Sequence, residues 1–378
     1  VRCCDALPLA LRIVGGLLQT QPQLQLSECL QLLSAERQRW EQTRLSYPAI
    51  RASFNLSYPR LEARSARLLR LLGLLLEPTV TLKTAAALLE TSIEPARASI
   101  ADLLRVRLLE SVGKERYHLP DLLRLLAKGQ LAIEESTETR QAARLRLAQA
   151  YQDTAEIMSL GLAASSRQQL TALWGRGRAD FEQSLLLNAQ SWFAIERSNL
   201  LAALDWAFQA QAWTIGLALA NCLPLFLMLN GESAAAETML LQAIATSETS
   251  DDRLQTAQLL DRLGDIYLQQ GEWEKAKAPY QQSLEILRDF QEPVRESQTL
   301  TNLGLVYLEQ GDRETAATLW AKALTRSSTG ATGDRDFTEW MQTTNAALLE
   351  AVLLQLGDRQ PSRKFLGTIG KLFKRLLS

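Results

Sequence analysis

The chain has 378 residues, 47% of them hydrophobic, and a formal net charge of −1. That length and apolar content support two or three cores, and the near-neutral balance excludes a whole-molecule attraction to nucleic acid or to an anionic membrane. Four cysteines (Cys3, Cys4, Cys29 and Cys222) without a Cys-x-x-Cys, and a single histidine, His118, give no zinc site and no disulfide framework, so a reducing, cytoplasmic interior is the expectation.

Leucine and alanine dominate and only 11 prolines interrupt them, which favours a mainly α fold. The chain opens on Val1 inside an apolar pattern with no signal peptide, so a missing upstream part is expected. Residues 1–42 read as short helices. "LPLALRIVGGLL" is apolar except for Arg12, and Ser27 is a candidate cap for "SECLQLLSAERQRW".

From 43 to 130 the texture changes. "YPRLEARSARLLRLLGLLL" predicts a helix ending near Gly73, and "TLKTAAALLE" a second, capped by Thr81. "SIEPARASIADLLRVRLLE" predicts a third, with Pro95 tolerated in its first turn. "LLESVGKERYHL" then has the alternation of a two-stranded hairpin with Gly113-Lys114 at its tip. Three helices closed by a hairpin is the winged-helix order.

Residues 131–208 read as a helical connector, polar and less regular up to 180, with "ESTETRQAARLRLAQAYQDTAEIM" helical and "WGRGRAD" as a loop. The run Trp206 to Gly231 carries no charge. Gln209, Gln211, Asn221 and Pro224 divide it into pieces too short to span a membrane, so it is read as buried helix.

From 209 to 378 the helices come in pairs. "LLDRLGDIYLQQGEWEKAKAPYQQSLEI" aligns with "TLTNLGLVYLEQGDRETAATLWAKALTR", which places Gly264 and Gly304, Tyr267 and Tyr307, and Gly271 and Gly311 each 40 residues apart. Gly231 extends the register backward, and Gly357-Asp358 continues it forward in degraded form. Small residues such as Gly264 and Ala276 let antiparallel helices approach, Tyr267 and Tyr280 fill the space between them, and Gly271 turns the chain. Each hairpin leaves an apolar face that only the next can cover, so the units stack as an α-solenoid. The pattern resembles tetratricopeptide repeats with a period longer than the usual ~34 residues. The basic tail "KFLGTIGKLFKRLLS" is amphipathic and is read as a capping helix for the stack, with a membrane-surface or partner helix as the alternative.

The first half resembles the NB-ARC (AP-ATPase) proteins of the STAND signalling class. "CDALPLALR" is similar to their Gly-Leu-Pro-Leu-Ala motif, with Ala6 at the glycine and Leu7, Pro8, Leu9 and Ala10 matching. "AIRASFNLSYPRL", "RLLRLLGLL", "AAALLE", "IADLLRVRLLESVG" and "YHLPDLLRLLA" follow that family's order through its winged-helix subdomain, and "AIERSNLLAALDWAF" resembles the lead into helical repeats. The resemblance implies that 1–42 ends a nucleotide-binding helical subdomain and that ADP or ATP binds only together with an upstream domain. No Gly-x-x-x-x-Gly-Lys-[Ser/Thr] occurs in these 378 residues, so this chain is not expected to hydrolyse a nucleotide.

The resemblance implies two nucleotide contacts. Pro8 would pack at the adenine. The family's phosphate-touching histidine falls on Pro120, which has no side-chain donor. His118, two residues earlier on a strand, would share a face with Arg116 and Pro120 and could substitute. The candidate recognition helix offers Arg97, Arg105 and Arg107 but also Glu94 and Asp102, which favours a structural role over nucleic-acid binding. The function expected is the regulatory part of a nucleotide-switched protein, with a protein partner on the repeats and oligomerisation on activation left open. An adaptor without nucleotide dependence, or part of a transcriptional regulator, are the alternatives.

Overall fold

The computed structural model describes residues 2–41, 48–113, 115–172, 179–250 and 252–329, with 345, 346 and 349. It divides into two compact units: Val1–Met158 with Leu187–Ile215, and Ser159–Leu186 with Gly216–Ser378. The fold is mainly α, with one small sheet and a run of stacked hairpins, as the sequence predicts.

In the first unit a short 3-10 turn, Arg2–Cys4, precedes α1 (Pro8–Thr20) and α2 (Leu26–Glu41). Pro8 is the first residue of α1, where its missing N–H costs nothing and its fixed φ suits the turn. Ser27 is not a cap. The Cys29 amide already bonds the Gln25 carbonyl at 2.9 Å, so Ser27 lies inside the first turn of α2. Helix α3 (Pro48–Ser57) packs against both.

The expected helix from 58 to near Gly73 ends as expected but starts later. A 3-10 turn at Tyr58–Arg60 and extended backbone at Leu61 delay α4 to Ala63–Leu72. Strand β1 (Thr79–Thr81) follows, then α5 (Leu82–Leu89), α6 (Ile93–Arg105), β2 (Glu110–Gly113), β3 (Arg116–His118) and α7 (Asp121–Glu134). Thr81 caps α5 as expected, its hydroxyl accepting the Thr84 amide at 3.1 Å. The two-stranded hairpin is in fact part of a three-stranded antiparallel sheet, ordered β1-β3-β2, with Thr79 and Glu110 both registered on His118. Helix, strand, two helices and a hairpin is the topology of a winged helix. Lys114 at the hairpin tip lies outside the described residues.

Arg70 of α4 fastens α7 to this core. It donates to the Tyr58 hydroxyl at 2.8 Å and to Glu135 at 2.7 Å, and pairs with Glu134 at 2.9 Å, while burial pushes Tyr58 up to about 12. The helix expected over 135–158 is present and runs further than expected, as the single helix α8 (Thr137–Ala172), followed by α9 (Ala179–Gln209). The "WGRGRAD" loop falls almost wholly outside the described residues.

The second unit continues with α10 (Trp213–Leu229), α11 (Ser233–Ser250), α12 (Arg253–Gln269), α13 (Trp273–Asp289), α14 (Pro293–Glu309) and α15 (Arg313–Thr329). Gly231, Gly271 and Gly311, 40 residues apart, turn the chain inside each hairpin with φ of +77°, +74° and +82°, a left-handed backbone that glycine adopts without a Cβ penalty. Across the α12–α13 hairpin a Cβ at Gly264 would lie 2.6 Å from the fully buried Tyr280 ring. At Gly304 the partner is the Trp320 ring, 40 residues after Tyr280 and equally buried. The small residues thus form the slots that the aromatics fill. Gly357-Asp358 and the basic tail lie outside the described residues.

Candidate functional site

The three sequence-predicted site residues all fall in the first unit. Pro8 is exposed at the start of α1. One turn on, Arg12 reaches Glu110 of β2 at 2.6 Å, and Glu110 is registered on His118 of β3. At Gly16 a Cβ would strike the Val106 backbone at 2.8 Å, so α1 lies tight against the end of α6. The face of α1 that carries Pro8 and Arg12 therefore runs to the base of the hairpin.

Pro120 is the N-cap of α7, with φ −51°, ψ 138° and no side-chain cap bond. It offers no hydrogen-bond donor, as expected. His118 is half-buried on the central strand. Asp121 opens α7, where its charge suits the helix dipole, and pairs with Arg124 at 2.9 Å. Arg124 also donates to the Leu75 and Leu76 carbonyls, at 3.1 and 2.7 Å, which close the turn after α4.

Sequence reasoning missed the polar cluster behind this sheet. Alternation puts Arg116 on the His118 face, and its guanidinium lies 3.9 Å from Glu196 of α9. Glu196 is 2% exposed, and its Oε2 accepts from Tyr151 and Asn199, both at 2.9 Å. Asn199 in turn accepts the Leu76 and Glu77 amides at 2.8 and 3.3 Å. One buried carboxylate thus links α8, α9, β3 and the loop after α4. Burial pushes its pKa above the ordinary carboxylate value, and burial also holds the Tyr151 hydroxyl well up. The signal was present as Glu196 and Asn199, three apart and so on one face of the helix, but periodicity registers only the apolar stripe.

The candidate recognition helix α6 turns Glu94, Arg97, Ala98, Ala101 and Arg105 outward. Arg97 pairs with Glu115 at 3.1 Å and Glu94 at 3.5 Å, and Arg105 with Asp102 at 2.7 Å. Arginines already matched by carboxylates offer little to phosphates.

In the second unit the first helices of successive hairpins share a polar face. Arg262 of α12 donates to Asn221 of α10 at 3.2 Å and pairs with Asp265 at 3.5 Å. Asp265 accepts from Tyr280 at 2.6 Å and from Asn302 of α14 at 2.9 Å. Asp261 accepts the Thr299 hydroxyl at 3.0 and 2.9 Å, and burial together with the neighbouring Asp265 charge pushes it up to about 7. Asn221, Asp261 and Thr301 occupy one register position at intervals of 40, as do Arg262 and Asn302. Among the described residues no His, Cys, Asp and Glu group has a metal-binding arrangement, and no helix is long and apolar enough to cross a membrane.

Residues 217–289 and 297–328 match tetratricopeptide repeat family models. The α10–α15 hairpins are tetratricopeptide repeats. "Regulatory protein AfsR" of Streptomyces coelicolor is 36% identical over 138 residues, 36% of this chain and 14% of its own length. The Streptomyces griseus protein of that name is 34% identical over 156 residues, 41% of this chain and 16% of its own length. The match therefore spans a small part of each relative. Among solved structures, BtubC from P. vanneervenii is 18% identical with a TM-score of 0.41, over 63% of this chain and 92% of its own. A STAND protein with a tetratricopeptide repeat sensor from Pyrococcus horikoshii is 15% identical with a TM-score of 0.37, over 85% of this chain and 51% of its own. Both superpose only loosely.

Proposed function

We propose that this chain is the sensing part of a regulatory protein, and that its repeats bind a protein partner along the polar face of α10, α12 and α14. The observation that supports this most directly is the 40-residue recurrence of polar side chains on that face, at Asn221, Asp261 and Thr301 and at Arg262 and Asn302, with Asp265 beside them. A stack that only needed to hold itself together would gain more from apolar residues there, because partly buried ion pairs add little net stability. Stacked helical hairpins expose such faces as extended binding surfaces. The likeness to two proteins named as regulators supports a regulatory setting.

In this reading the chain catalyses nothing by itself. The winged helix closes on a nucleotide held by an upstream domain, with Pro8 and His118 toward it, and partner binding biases that closure. Pro120 in the family's histidine position weakens the ADP contact, so the resting state is held less firmly than in relatives with histidine there. The adaptor reading without nucleotide dependence draws on the same substitution.

The test captures the partner with the 378-residue chain and measures its affinity for the double variant Asp265→Ala/Asn302→Ala. Loss of about 1.4 kcal/mol or more, tenfold in Kd, is expected, with no change for Arg97→Ala/Arg105→Ala on α6. Equal affinity for the repeat variant and wild type would reject the reading.

A further inference from the structure

Beside the buried carboxylate of Glu196 lies a cavity of about 100 Å³, lined by residues of α5, α8 and α9. A single water needs only about 10–15 Å³ of such space, so this one has room for a small molecule. Its mouth is marked by Lys83, an exposed ammonium that donates to Thr154 at 2.8 Å. Its closed end holds Glu196 and Tyr151, 2% and 4% exposed. Along one side runs a line of hydroxyls in which Thr81 and Thr84 are 2.8 Å apart and Thr84 reaches Tyr151. Trp192, Leu147 and Ala150 make the apolar wall.

The charges in this space are incompletely matched. Glu196 Oε2 has two donors, but Oε1 has Arg116 only at 3.9 Å, too long for a hydrogen bond. A buried carboxylate held in this way favours a further donor, above all a charged one. At the other end Lys83 offers a cation to an anion. We infer that this cavity is a binding site for a small free amino acid, its ammonium toward Glu196 Oε1, its carboxylate toward Lys83 and its side chain against Trp192 and Leu147. The ligand would join the winged helix (through α5) to the connector helices α8 and α9, and so report a small metabolite at the point where this unit is held together. This goes beyond the partner-binding reading and is independent of it, since every residue involved belongs to the first unit.

The experiment is thermal unfolding of the 378-residue chain with L-serine, L-threonine or L-valine at about 10 mM. At least one of them raises Tm by about 2–4 °C, the shift expected when ligand exceeds Kd several-fold. The N-acetyl form and the amide of that amino acid, which lack the ammonium and the carboxylate charge, leave Tm unchanged. Lys83→Ala removes only an exposed side chain, so it folds as wild type, and it weakens the amino acid about tenfold by calorimetric titration. Ala150→Leu, which narrows the cavity without touching the partners of Glu196, abolishes the shift. The inference is overturned if none of the three amino acids raises Tm, if the N-acetyl form works as well as the free one, or if Lys83→Ala or Ala150→Leu binds as tightly as wild type.

Discussion

At Gly264 the Tyr280 ring occupies the space a methyl group would need, and the ring is walled in by both helices of its hairpin. Gly264→Ala should therefore cost about 1–3 kcal/mol by overpacking. Gly271→Ala meets no atom within 4 Å but forces a left-handed backbone on alanine, and should cost about 1–2 kcal/mol. Urea unfolding of the two variants separates the mechanisms. A Tyr280→Leu background relieves the first loss and leaves the second unchanged.

Asp261 allows a pH prediction at the same scale. Its folded pKa, pushed up to about 7, lies above the ordinary carboxylate value, so the folded state holds a proton that the unfolded chain releases. Its contribution is then most favourable below the unfolded value and is lost as pH rises toward 7. Because Asp261 and Asp265 interact, the titration belongs to the pair. Asp261→Asn should gain stability relative to wild type as pH rises from about 4 to about 7 and stay level above that, measured as Tm against pH. A difference that shrinks over that window contradicts the assignment.

Among elements, the connector helices depend on Asn199, which accepts the Leu76 and Glu77 amides and donates to Glu196. Asn199→Ala orphans both amides and removes one of the two donors to Glu196 Oε2, a loss of about 2–3 kcal/mol. In the repeats, Glu296 of α14 is 4% exposed and is bound by Arg288 and Arg326, both at 3.1 Å, which ties α13, α14 and α15. The arginines are half-exposed, so Glu296→Ala should cost less, about 1–2 kcal/mol. Denaturant midpoints of the two variants test the order of these losses, and a reversed order would contradict it.

The elements were unevenly legible in the sequence. The hairpins of α10–α15 could be read from glycines and aromatics at a fixed interval, because each residue type there answers one packing need. Strand β1 could not, since Thr-Val-Thr is too short to show alternation and its pairing with β3 is non-local. Helix α8 was legible over 135–158, where Ala143, Leu147, Tyr151 and Ala155 recur at helical spacing and are buried, but not its continuation to Ala172. The polar cluster was hidden because its members meet only through contacts distant in sequence. Pro8 and Pro120 came from motifs and His118 from strand alternation, whereas Arg12, Arg116 and Glu196 act through partners distant in sequence that only the folded chain brings close.

At the scale of the whole molecule, the proposed function is a change of shape. On the proposed reading, a longer chain that joins this one to an upstream nucleotide domain should lose ADP during purification more readily than its Pro120→His variant, measured as nucleotide content per protein. Equal retention would mean that Pro120 leaves the resting state as firmly held as histidine does.

The most direct test of the central claim is hydrogen exchange of the chain, free and saturated with its captured partner. Partner binding should slow exchange in α12 and α14, around residues 258–265 and 295–302, and leave α6 unchanged. Protection confined to α6 and the hairpin, with none in α12 or α14, would contradict a repeat stack that senses a protein.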